Sequence, residues 1–198
     1  MDLDPRIARL SDAIDSRTAQ RVDRAPEHIE AAVTVLLRSR DALEILLVRR
    51  AEREIDPWSG HVGLPGGRRE PGDADLVQTA LRETEEETGV AVDRQGRTLG
   101  FLDEVEPAGP DLPPIVVAPL VGVVPADVSL EIDPRELVDA TWAPIPALRD
   151  PAARDRHLER IGEVEIAFPA IRYEEFLVWG LTHRILTGFL ELVGPLEG

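Results

Sequence analysis

Four carboxylates stand within five positions, Glu83, Glu85, Glu86 and Glu87, just before Gly89. On a helix of 3.6 residues per turn, Glu83, Glu86 and Glu87 fall at i, i+3 and i+4 and share a face. Like charges at these spacings cost about 0.2–0.5 kcal/mol per pair, and acids in a last turn oppose the helix dipole by about 0.3–1 kcal/mol each. For a lone Glu pair, a solvated acidic face is the ordinary explanation. A conflict of this size between local preference and sequence is instead the mark of a functional site. A divalent cation removes the conflict. Mg²⁺ or Mn²⁺ takes oxygen ligands and commonly shares its shell with substrate phosphates. Upstream, Leu64-Pro65-Gly66-Gly67 lets the backbone approach a ligand closely, and a carbonyl there can reach the same ion. Arg82 stands beside the acids, one turn before Glu86.

These residues need a scaffold. Asp73 as N-cap and Gly89 as the residue after the last turn delimit a helix of about four turns, with Val77, Ala80, Leu81, Thr84 and Thr88 forming a stripe that can pack on a sheet. Residues 31–37 and 43–48 are β-rich, and the Ser39-Arg40-Asp41 link predicts a hairpin. His61 to Leu64 predicts a short strand entering the glycine turn. Strands are expected over 98–105, 115–124, 137–143 and 164–168, and a short helix with a polar loop over 146–160. Residues 4–24 predict a surface helix carrying Ile7, Leu10 and Ile14, followed by a loop at Ala25-Pro26. From Glu174 onward, Phe176, Leu177, Leu181, Ile185, Leu186, Phe189 and Leu190 recur at helical spacing.

Composition limits the chemistry. The chain has 198 residues, no Cys and a formal net charge of −16, with every strong cation an Arg. Acidity of this degree argues against nucleic-acid binding, which needs a basic stripe. No apolar run reaches a membrane span, the start is not a signal peptide, and the lack of Cys fits a cytoplasmic protein. His28, His61, His157 and His183 lack metal-like spacing. Ser59 is not in a G-x-S-x-G elbow, and no G-K-[ST] follows the glycines. Arg49, Arg50, Arg53, Arg68 and Arg69 surround the glycine turn. They are either ordinary surface charge, interleaved with Glu52, Glu54 and Asp56, or forks for substrate phosphate. Trp58 and Trp179 suit core or dimer contacts, which leaves a homodimer open.

The stretch from His61 to Val90 resembles the box of Nudix hydrolases, G-x5-E-x7-R-E-U-x-E-E-x-G-U with U apolar. Its second half is present as Arg82-Glu83-Thr84-Glu85-Glu86-Glu87-Thr88-Gly89-Val90, with Thr84 in an apolar slot. Its first half is one residue longer, and the slot eight before Arg82 holds Ala74, flanked by Asp73 and Asp75. The longer form, the LPGG entry and Val178-Trp179-Gly180-Leu181-Thr182 are similar to the coenzyme A diphosphatase branch. Leu46, Leu47, Arg50, Ala51, Gly60, Pro65, Gly66 and Gly67 fit that branch's upstream signature in kind, although Asp56 stands where a second Arg is expected and Leu64 replaces Phe.

The resemblance implies an α/β/α sandwich with a mixed sheet between the box helix and the C-terminal helix. Residues 1–28 would form a helical extension and residues 29–198 the Nudix domain. It implies Glu83 and Glu87 as principal ligands of Mg²⁺ or Mn²⁺, Glu86 as a further ligand or a base acting through water, and the Gly67 carbonyl as a backbone ligand. Arg82 would hold the carboxylates in place. Arg50, Arg53 and Arg68 are candidates for substrate phosphate, and Glu104, Glu131 and Glu163 for a separate general base. The implied reaction is hydrolysis of a nucleoside diphosphate linked to a group X, with coenzyme A or a derivative giving 3′,5′-ADP and 4′-phosphopantetheine. ADP-ribose or another nucleoside diphosphate is the alternative substrate, and a non-catalytic ligand sensor the alternative class.

Overall fold

Parallel pairing of β1 (Ile29–Ser39) with β6 (Ile115–Val124) forms the spine of the molecule, in register from Ile29↔Ile115 to Arg38↔Val124. The computed structural model describes residues 4–52, 58–107, 114–162 and 164–194. Every residue of β6 is buried, so its sequence is a continuous apolar run without alternation, as expected of a strand covered on both faces. β1 turns at residues 40–42 into antiparallel β2 (Leu43–Arg50), the expected hairpin. β2 pairs in turn with β3 (Val62–Gly63) and β7 (Leu137–Pro144), β4 (Gly66–Arg68) pairs with β1, and β5 (Arg97–Phe101) with β6. The one parallel pair among these antiparallel ones makes the sheet mixed.

Both faces of this sheet are covered. On one, Val35, Leu37, Ile45, Leu47, Val117 and Val121 pack with α1 (Pro5–Asp15) and α5 (Gly180–Val193), which contribute Ile7, Leu10, Ile14, Ile185, Leu186 and Phe189. On the other, Ala32 and Leu120 meet Ala80, Val77 and Leu81 of α2 (Leu76–Thr88). Leu36, Leu46, Val48, Val90 and Leu137 extend that second layer. The result is the α/β/α arrangement that the resemblance implies. Among the described residues no helix is long and apolar enough to cross a membrane.

Several elements differ from the sequence expectations. The first helix stops at Asp15, and Ile7, Leu10 and Ile14 are core residues. Residues 16–24 offer no apolar stripe and run as a strap instead. Helix α2 is capped by Asp75, which accepts the Gln78 N–H at 2.9 Å, and Asp73 has another role. Gly89 closes it as expected, with φ +73° and its N–H on the Glu85 carbonyl at 2.8 Å. A short helix, α3 (Val92–Gln95), precedes β5, which ends at Phe101; Val105 makes only an isolated bridge to Val117.

The stretch expected as a short helix and polar loop holds α4 (Ile145–Arg149) and then a strand, β8 (Arg154–Ile161). β8 pairs along its length with β9 (Val164–Tyr173), which runs beyond the expected Phe168. Its charged side chains hid the strand, because backbone pairing and not a buried face sustains it. Phe176 and Leu177 belong to β10 (Phe176–Trp179), where Phe176 and Val178 are buried and their neighbours are not. That period of two places helix α5 after them.

Candidate active site

Strand β4 lies between β1 and α2, so the glycine turn and the acidic helix meet. A Cβ on Gly67 would come within 2.5 Å of the Glu83 carboxyl carbon, so only glycine admits this carboxylate. One turn further on, Glu87 is 3% exposed and accepts the Gly66 N–H on Oε2 at 3.0 Å. Small and hydroxylated side chains let α2 approach the sheet this closely. Thr84, in the slot where the box has an apolar residue, is buried; its hydroxyl donates to the Ala80 carbonyl at 2.7 Å and accepts from the Thr34 hydroxyl at 2.7 Å.

Arg82 organises the remaining acids. Nε and Nη2 each donate to one oxygen of Asp73 at 3.0 Å. Nη1 reaches Glu83 Oε1 at 2.9 Å and Glu86 Oε2 at 3.0 Å, and Nη2 also donates to the Arg68 carbonyl at 3.1 Å. Asp73 is buried and accepts from the Glu70 N–H and Thr79 Oγ1 as well, both at 2.9 Å. Its pKa is held well below the usual carboxylate range, first by the Arg82 bonds. Asp73 thus meets Arg82 from one position before the slot that Ala74 occupies. Counted from Gly67, Asp73 falls where G-x5-E has its acid, and the extra residue lies between it and Arg82; that count was the available signal in the sequence.

The two inner carboxylates are electrostatically uncomfortable. Burial pushes the Glu87 pKa up to about 7, although the Gly66 N–H and Arg50 oppose the rise and Glu83 and Glu136 add to it. Burial also raises Glu83, against Arg82. Glu136 has no local sequence signal; it comes near through the pairing of β2 with β7, next to Leu137↔Arg50.

Of the expected phosphate-binding arginines, Arg50 turns its Nη1 towards Glu87 Oε1 at 3.5 Å. Arg68 is exposed at the end of β4, and no described residue pairs with its guanidinium. Arg53 and the general-base candidate Glu163 lie outside the described residues. Glu104 is unsuited to a base. Burial would raise its pKa, but Arg24, Arg21 and the Val22 N–H outweigh that and hold it at about 2. Glu131 is exposed beyond the end of α2, where its N–H meets the Thr88 carbonyl at 2.8 Å.

Among the described residues no three acidic or imidazole side chains converge as a ready cation cage. Glu83 and Glu86 are turned onto Arg82 and Glu87 onto Gly66. The donor set nevertheless fits a hard divalent ion, because it is all carboxylate and backbone oxygen, and its most buried member, Glu87, meets Arg50 only at 3.5 Å. A cation at the glycine turn would lower the cost of ionising Glu87.

A model of the NUDIX domain matches residues 28–161. An uncharacterised protein of Schizosaccharomyces pombe is 35% identical over 115 residues, 57% of this chain and 35% of that protein, so the chain spans about a third of its length. The mitochondrial coenzyme A diphosphatase of Homo sapiens is 35% identical over 169 residues, covering 83% of this chain and 70% of that protein. The crystal structure of a MutT/nudix family protein from Enterococcus faecalis superposes with a TM-score of 0.53 at 17% identity, over 98% of this chain and 76% of that one, a likeness of fold.

Proposed function

The chain belongs to the Nudix hydrolase family, and we propose that it hydrolyses the diphosphate of coenzyme A or a derivative, releasing 3′,5′-ADP and 4′-phosphopantetheine. The observation that carries the substrate is the likeness to the human coenzyme A diphosphatase, which extends well beyond the acidic helix. The family generally works with a divalent metal ion, and Mg²⁺ or Mn²⁺ is the proposed one here. Glu83, Glu87 and the Gly67 carbonyl would hold it, with Glu86 a further ligand or a base acting through water. When bound, such an ion neutralises the diphosphate and acidifies a water.

The chain's own groups have separable tasks. Glu87, fixed by the Gly66 N–H, presents its other oxygen towards Arg50. Glu86 is largely exposed, with Oε2 anchored on Arg82, and its Oε1 can take a proton from the attacking water. Water adds to one phosphorus, the bridging P–O bond breaks, and the leaving phosphate carries away the electron pair. Arg82 stays on the carboxylates and orients them. Arg68, exposed beside Gly67, is the proposed fork for a substrate phosphate, and Arg50, next to Glu87, is a second candidate.

The test compares kcat/KM for coenzyme A, dephospho-coenzyme A and ADP-ribose, with products identified by mass. A preference for coenzyme A of about tenfold or more over the form without the 3′-phosphate is expected from one charge-assisted contact. A preference for ADP-ribose overturns the substrate. Tight ligand binding with no turnover on any of the three returns the sensor reading.

A further inference from the structure

A line of charge leads from the N-terminal strap to the acidic helix. The strap precedes the stretch that matches the family, yet it is tied to the body of the molecule. The Glu104 N–H donates to the Gln20 carbonyl at 3.0 Å, and Glu104 Oε2 accepts the Val22 N–H at 2.8 Å. Arg24 then grips both Glu104 oxygens at 2.8 Å and passes its Nε to Glu30 Oε1 at 3.2 Å. The other oxygen of Glu30 takes Arg69 Nη1 at 2.7 Å. Arg69 Nη2 ends the line on the carbonyls of Asp73 and Ala74, at 3.2 and 3.0 Å.

Those two carbonyls belong to the turn that presents Asp73 to Arg82. We propose that Arg69 is a positioning residue for the metal-binding carboxylates, and that the strap, through Arg24 and Glu30, helps to set the affinity for the ion. This rests on the reading of Glu83 and Glu86 as ligands. The physical reason is a division of one charge. While Asp73 occupies Nε and Nη2 of Arg82, a single nitrogen is left for Glu83 and Glu86 together. If the turn moves and Asp73 lets go, Arg82 can fork onto the ligand carboxylates and compete with the cation for them. Loss of Arg69 therefore weakens ion binding more than it weakens the fold. The bonds to Glu30 alone would be a partly exposed ion pair, a kind that contributes little stability; the contacts to the two carbonyls are what give Arg69 leverage on the site.

The test titrates Mn²⁺ into the 198-residue wild-type chain, Arg69→Ala, Arg69→Lys and Arg24→Ala, following free Mn²⁺ by electron paramagnetic resonance without substrate. Steady-state kcat and KM for coenzyme A are measured at saturating Mn²⁺. Because partners beyond the first layer commonly change metal affinity by 10–100-fold, Arg69→Ala should raise the Mn²⁺ Kd by about fivefold to tenfold and Arg24→Ala by about twofold to threefold. Arg69→Lys, which reaches one partner at a time, should fall between Arg69→Ala and wild type. KM should stay near wild type. An unchanged Mn²⁺ Kd in Arg69→Ala overturns the proposal. If KM rises alongside that unchanged Kd, Arg69 contacts substrate instead; if only the melting temperature falls, it is a plain surface bridge. A wild type that binds no Mn²⁺ removes the ligand assignment itself, and the proposal with it. Expected Mn²⁺ shifts without cleavage of coenzyme A would refute the substrate and leave the proposal standing.

Discussion

Glu104 and Glu87 are both buried carboxylates, 8% and 3% exposed, and their surroundings treat them in opposite ways. Glu104 is met by Arg21, Arg24 and a backbone N–H, all within 2.8 Å, and its pKa lies at about 2. Glu87 has one backbone N–H and an arginine nitrogen at 3.5 Å, and its pKa lies at about 7. Burial acts in the same direction on both, so the difference is one of partners. A carboxylate that holds the fold together is fully paired. Glu87 is buried and left short of positive charge at a cost to stability, as suits its proposed role as a metal ligand.

The largest break of this comparison is Glu87→Gln. Turnover should fall by more than about 100-fold, beyond the 10–100-fold typical of an outer partner of a metal ligand. Its melting temperature without metal should hold or rise, because a disfavoured charge has been removed. Near-wild-type turnover at saturating Mg²⁺ would end the assignment of Glu87 to the site.

Glu104→Gln should do the reverse, costing about 2–3 kcal/mol of stability as charge-assisted bonds are lost, while the folded enzyme keeps most of its turnover at saturating metal. Urea unfolding at neutral pH measures the first, and initial rates the second. A stable but inactive Glu104→Gln would mean that the two carboxylates had been assigned the wrong way round.

Acidity separates them again, with opposite signs. The Glu87 pKa is raised on folding, so its proton stabilises the folded chain below about pH 4.5, and that stabilisation is lost as pH rises through about 7. The Glu104 pKa is lowered, so its contribution is present above about pH 4.5 and is lost as pH falls through about 2. Without metal, Glu87→Gln should therefore gain on wild type by up to about 2–3 kcal/mol between pH 5 and pH 8. Mn²⁺ should stabilise wild type more at pH 8 than at pH 6, since protons compete for the same oxygens. A pH-independent difference between the two chains would contradict the raised pKa.

The smallest effect distinguishes the neighbouring acids Asp73 and Asp75. Asp75→Ala removes a helix cap and should cost about 1 kcal/mol with turnover intact. Asp73→Asn should instead weaken Mn²⁺ binding by about tenfold or more, as an outer partner does. Equal behaviour of the two variants would mean that the Arg82 clamp has no bearing on the site.

The sequence by itself determined the acidic face, because spacing at i, i+3 and i+4 is a local consequence of helical geometry. It determined the end of that helix at Gly89, a strand over 115–124 and a hairpin linked through Ser39-Arg40-Asp41 for the same reason: each is specified by neighbours along the chain. Only the tertiary structure decided that Asp73 clamps Arg82 while Asp75 caps, since that depends on the shape of a turn one residue longer than the usual box. Only the tertiary structure decided that Arg50 faces Glu87, that Glu136 adds to its field, and that Glu104 anchors a strap and so is unsuited to act as a base. These pairings join residues far apart in the chain, and a carboxylate carries no mark of which arginine it will meet. The strands over 154–161 and 176–179 were hidden likewise. The first is charged along its length, and the second runs directly into a helix, so neither showed its periodicity until a partner strand was beside it.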